Sequence, residues 1–120
     1  MAQRDPVRRQ RTETVLFNGP VVKGPGGEWH TNPIHVPANW DLSVEARSRV
    51  RFYAGIFDEP NYQRLRRMAR PAFPFRFGTD QVAFSLTRRA PVEDDYRVVI
   101  RVSVFAGQRA TIQIKITLTD

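Results

Sequence analysis

The sequence contains no cysteine, which excludes disulfide staples, thiolate metal sites, iron–sulfur clusters and a cysteine nucleophile together. It contains no apolar run approaching the roughly 18 residues that mark a membrane-crossing helix. Met1 to Arg11, although basic, lacks the apolar core of a secretory signal. The chain therefore reads as soluble and untargeted as written, with its compartment left open between the cytoplasm and an extracellular or viral assembly. Catalytic patterns are missing as well. No serine sits in a nucleophile-elbow sequence, and the glycine run Gly24-Pro25-Gly26-Gly27 is not followed by the Lys-Ser/Thr of a phosphate-binding loop. That run reads as a hairpin tip.

Histidine is scarce too. His30 and His35 are five residues apart, so on one strand they would face opposite sides and could not share a metal. Glu28 and His30 would share a face, but two ligands without a third make no zinc or iron site. The acidic cluster Glu93-Asp94-Asp95 lies between Pro91 and an alternating segment, where acidic turn residues are ordinary, and no other acid is placed to complete calcium coordination. Neither a metal nor a cofactor is expected, and the chain reads as non-enzymatic.

What the chain does have is 120 residues with 41% hydrophobic and 26% charged composition. That suits one globular domain with a packed core and is too short for two domains flanking a cleft. Lys and Arg together number 19 against 12 acids, for a net charge of +7, and only Lys23 and Lys115 are lysines. Arginine favours planar anions, so an anionic partner suits this surface, although a charge of this size also serves solubility. Residues 1–12 carry Arg4, Arg8, Arg9 and Arg11 with almost nothing apolar and read as a basic arm ahead of a domain spanning 13–120.

Period-2 alternation predicts the domain to be all-β. Ile112, Ile114, Ile116 and Leu118 share one face of a last strand, and Tyr96, Val98, Ile100, Val102 and Val104 share one face of the strand before it, opposite Arg97, Val99, Arg101, Ser103 and Phe105. With a turn near Gly107-Gln108, these two are expected to pair as a hairpin. Trp40, Leu42, Val44 and Ala46, then Val50, Phe52, Ala54 and Ile56 after a turn near Ser48, predict a second hairpin. Val82, Phe84 and Leu86 make a further strand. Thr14 to Phe17 and Thr31 to Val36 are weaker strands, and Asn18-Gly19-Pro20 and Pro37-Ala38-Asn39 read as turns. One segment departs from this period: Asp58 can cap a helix with Pro60 in its first turn and Tyr62, Leu65 and Ala69 at helical spacing, predicting a surface helix over about 58–68. The expected architecture is an antiparallel two-sheet β-sandwich, jelly-roll or immunoglobulin-like, of about seven strands with one short surface helix.

Three surfaces stand out. Phe73, Phe75 and Phe77 fall on one side of an extended segment and are a candidate apolar ridge for self-assembly or for docking on another protein. Arg64, Arg66, Arg67 and Arg70 on the helix, with Arg88 and Arg89, are a candidate polyanion surface for nucleic acid. Trp29 or Trp40 could serve as a carbohydrate platform, although aromatic residues in alternating strands usually pack in the core.

The run Phe52-Tyr53-Ala54-Gly55-Ile56-Phe57-Asp58-Glu59-Pro60-Asn61-Tyr62-Gln63-Arg64 resembles the strand-then-helix pattern of small prokaryotic β-sandwiches of the Golgi-dynamics (GOLD)-like kind. Ala90 to Ile100 is similar to the turn before their penultimate strand, and Thr111 to Leu118 to their last strand, with Asp95 standing where those sequences carry glycine. The resemblance implies a non-catalytic interaction sandwich, often on secreted or envelope proteins, and transfers no functional residue. The leading expectation is thus a structural or interaction module that self-associates or docks on an envelope, filament or virus particle. Polyanion binding and carbohydrate binding are the alternatives.

Overall fold

The alternating segments fold into two antiparallel sheets whose apolar rows face each other. The computed structural model describes residues 12–67, 75–78 and 84–120. The first sheet holds β1 (Glu13–Lys23), β9 (Ala110–Thr119), β4 (Asp41–Arg47) and β7 (Phe84–Arg89) in that order. The second runs β2 (Glu28–His30), β8 (Asp94–Val102), β5 (Phe52–Asp58) and β6 (Phe75–Gly78), with β3 (Ile34–Val36) also paired to β8. The core between the sheets is built from the rows that the alternation marks: Leu42, Val44 and Ala46; Phe52, Ala54 and Ile56; Tyr96, Val98, Ile100 and Val102; Ala110, Ile112, Ile114 and Ile116. The two-sheet sandwich with one helix is the predicted class, with nine strands among the described residues where about seven were expected.

Neither predicted hairpin forms. β8 pairs with β5, β2 and β3, while β9 pairs with β1 and β4. The Ser103–Arg109 connection therefore carries the chain from one sheet to the other. β4 and β5 are divided between the sheets in the same way. Alternation specifies which side chains point inward, and an arch across the core keeps that row inward as well as a hairpin does. The period alone cannot tell one from the other. The Gly24–Gly27 turn likewise joins β1 to β2 across the sheets, so the tight turn is present but the hairpin is not.

Asn18-Gly19-Pro20 is not a turn. These residues continue β1 and pair with Lys115, Ile114 and Gln113 of β9. Proline lacks a backbone donor and is tolerated here because β1 is an edge strand, where one side of its backbone carries no ladder. By contrast, the turn at Pro37-Ala38-Asn39 forms, with Asn39 at φ 68.

The helix α1 spans Glu59–Arg67, and Asp58 caps it by accepting the Asn61 N–H at 3.0 Å. Tyr62 and Leu65 bury against Phe57 and Val99 on the outer face of the second sheet. Phe57 and Val99 are the two large apolar residues in outward rows otherwise occupied by Arg97, Arg101 and Tyr53, which is why a helix can dock there. Full burial of a side chain such as Leu65 stabilises by roughly 1.5–3 kcal/mol. Arg97 completes the seam, its guanidinium 4.3 Å from the Tyr62 ring centre and its Nε 3.2 Å from Glu59. No helix among the described residues is long and apolar enough to cross a membrane.

Candidate functional site: the arched end of the sandwich

Three sheet-to-sheet connections meet at one end of the sandwich: 24–27, 48–51 and 103–109. They are joined by main-chain hydrogen bonds. Ser103 N–H donates to Arg51 O at 3.0 Å, and Gly26 N–H donates to Val102 O at 3.0 Å. The 48–51 and 103–109 arches each open with a buried serine whose hydroxyl accepts an N–H two residues on: Val50 to Ser48 Oγ and Phe105 to Ser103 Oγ, both at 3.1 Å. Such local side-chain acceptors fix a turn that the sheet ladder no longer supports.

The second arch is thereby held rigid at its base and presents apolar side chains to solvent. Phe105 is 86% exposed and Val104 66%, although a phenylalanine in a domain this size would ordinarily lie inside. At the same end Arg47, Arg49 and Arg109 are exposed and make no ion pair with a described residue. No Asp or Glu occurs between Ala46 and Phe57 or between Tyr96 and Thr119. Between the arches lies an open groove of about 720 Å³ lined by Arg47, Ser48, Arg49, Val50, Gln108 and Arg109. A second hollow of about 290 Å³ shares Arg49, Val50 and Gln108 with it and is closed by Arg51, Phe105 and Ala106.

The predicted site residues lie elsewhere. Phe73 and Arg70 fall outside the described residues. Phe75 and Phe77 belong to β6, the edge strand beside β5, in register with Gly55 and Tyr53. Of the arginines proposed to hold phosphates, three already face carboxylates: Arg66 with Glu28 at 3.7 Å, Arg88 with Asp58 at 3.8 Å and Arg89 with Asp41 at 3.1 Å. Arg88 also lies over the Tyr96 ring at 5.2 Å. Arg64 and Arg67 remain exposed beside Glu59 and Gln63 on α1. Trp29 and Trp40 are partly buried and pack against the core, Trp29 with Phe17 at 5.0 Å between ring centres.

His30 and His35 fall on different strands. Tyr62 Oη and His30 Nδ1 lie 3.2 Å apart. His35 sits between two carboxylates, Nδ1 3.0 Å from Asp95 and Nε2 2.8 Å from Glu93. Hydrogen bonds to Asp95 and then Glu93 favour its protonated form and raise its pKa above the ordinary 6.5. Among the described residues no group of three or more His, Cys, Asp or Glu is arranged to hold a metal ion.

The arched end was not singled out by the sequence, because Val104 and Phe105 continue the alternation of β8 without a break. The available signal is charge. Arg47, Arg49, Arg51 and Arg109 bracket two turns in stretches without acids, and arches bring those turns together where hairpins would not.

An antiparallel two-sheet β-sandwich with one helix on its outer face, and with exposed arginines and an exposed phenylalanine at its arched end, is thus the class that fold and site define. No protein-family model and no curated protein matches the chain. Among solved structures it is similar to PliG of Aeromonas hydrophila, a periplasmic lysozyme inhibitor of g-type lysozyme, with a TM-score of 0.57 and 8% identity over 97% of this chain and 92% of that one. At this identity the similarity is one of fold.

Proposed function

We propose that this chain is a non-enzymatic protein-interaction module that engages a partner protein through the arched end of its sandwich. The observation that carries this reading is Phe105: its backbone is pinned through Ser103 while its ring stands 86% exposed. The backbone at Phe105 is already held before a partner arrives, so less backbone entropy is lost on binding. An aromatic anchor within a charged rim is the usual make-up of a binding hot spot. The shared fold with PliG lends support, since that protein is an inhibitor of another protein.

Site-specific photocross-linking tests the reading. A photoreactive phenylalanine analogue at position 105, in extract of the source cells, should give one protein adduct. Unlabelled wild-type chain should compete it away, and the Phe105→Asp chain should not. No adduct, or the same adduct from a cross-linker at exposed Thr14, would overturn the reading.

A further inference from the structure

The arched end also carries a preference for the chemistry of its partner, an inference that rests on the protein-interaction reading. Arg47, Arg49 and Arg109 line one groove, and none makes an ion pair with a described residue. Two carboxylates stand on the neighbouring strands: Glu28 at the start of β2 is already held by Arg101 at 2.7 Å and Arg66 at 3.7 Å, and Glu45 on β4 shares a hollow with Arg47 and Lys115. Among the described residues no carboxylate lines the groove that holds Arg49 and Arg109, so opposite charge for these two comes from outside.

We propose that the surface recognises an acidic segment of another protein, an apolar side chain flanked by Asp or Glu, lying over the two hollows. The apolar residue contacts Phe105 and Val50, and the flanking carboxylates reach Arg47, Arg49 and Arg109, whose planar forks match carboxylates in bidentate geometry.

Two other occupants fit less well. A nucleic-acid strand calls for cations along a groove with successive aromatic platforms, whereas Phe105 is the one aromatic residue that lines the two hollows here. A second copy of this chain brings the same +7 charge, and two carboxylates of its acidic cluster, Glu93 and Asp95, already hold His35.

The test titrates the full chain with a short fluorescent peptide of glutamates around a central Leu-Trp pair. Its glutamine counterpart and a single-stranded DNA of equal charge are run in parallel. The acidic peptide should bind, and weaken about tenfold or more between roughly 50 and 200 mM salt. Arg49→Glu with Arg109→Glu, and separately Phe105→Ala, should each weaken it by about tenfold or more. Arg64→Glu with Arg67→Glu on α1 should leave it unchanged. Absence of binding, equal binding of the glutamine peptide, DNA binding as tight as the peptide, or loss of binding in the α1 variant would each overturn the proposal. So would salt-sensitive self-association of the free chain through these arginines. The cross-link at 105 separates the two failures: a competed adduct alongside a peptide that does not bind leaves the protein-interaction reading standing and removes only the acidic partner. No adduct removes both.

Discussion

The backbone N–H of Ser103 donates to the carbonyl oxygen of Arg51 at 3.0 Å, tying the arch after β8 to the arch after β4. Through this contact two segments far apart in sequence become one surface. Ser103 is only 1% exposed, and its hydroxyl also accepts the Phe105 N–H. The backbone that carries the 86% exposed Phe105 ring is thus tied to one buried serine.

Ser103→Ala removes that acceptor while keeping the main-chain link to Arg51. Loss of one such hydrogen bond costs about 1 kcal/mol, readable as a lower denaturant midpoint with unchanged slope. Amide exchange should quicken at Phe105 in particular. Unchanged exchange there would show that the serine does not fix the arch.

The turn between β1 and β2 distinguishes its first and last glycines by their surroundings. A Cβ on Gly27 would lie 2.9 Å from Gly24 O and 3.0 Å from Lys23 Cβ, whereas one on Gly24 would meet nothing within 4 Å. Gly27→Ala should destabilise by about 1–3 kcal/mol, and Gly24→Ala should change stability by less than about 0.5 kcal/mol. Thermal melts of the two variants check the contrast, and equal melts would contradict it.

His35 gives a pH dependence with a defined sign. Its pKa is raised in the fold by Asp95 and then Glu93. The contribution is therefore fully present below the unfolded value of about 6.5 and is lost as pH rises through the higher folded value. Proton NMR titration should place the His35 midpoint above 6.5, and Asp95→Asn should lower it. A His35 midpoint that does not respond to Asp95→Asn would contradict the geometry.

Much of the fold is legible in the residues. Asp58, Pro60, Tyr62 and Leu65 mark α1, and the inward rows of β4, β5, β8 and β9 are the apolar alternations. Pairing was not legible, because the row from Val98 to Val102 and the row from Ile112 to Ile116 point inward whether the chain folds back in one sheet or crosses the core. Pro20 misled for a related reason: its meaning depends on whether β1 is an edge strand, and that is set by the distant β9. The candidate site depended on the same undetermined step. Read as a hairpin, Val104 belongs to the core row. Only the arch turns it outward together with Phe105 and brings Arg49 and Arg109 to the same groove.

Hydrogen–deuterium exchange of the full chain, alone and with the protein captured by the position-105 cross-link, tests the central claim most directly. Binding through the arched end predicts new protection confined to residues 46–52 and 103–109. Protection that falls instead on α1 or β6, with both arches unchanged, would contradict it.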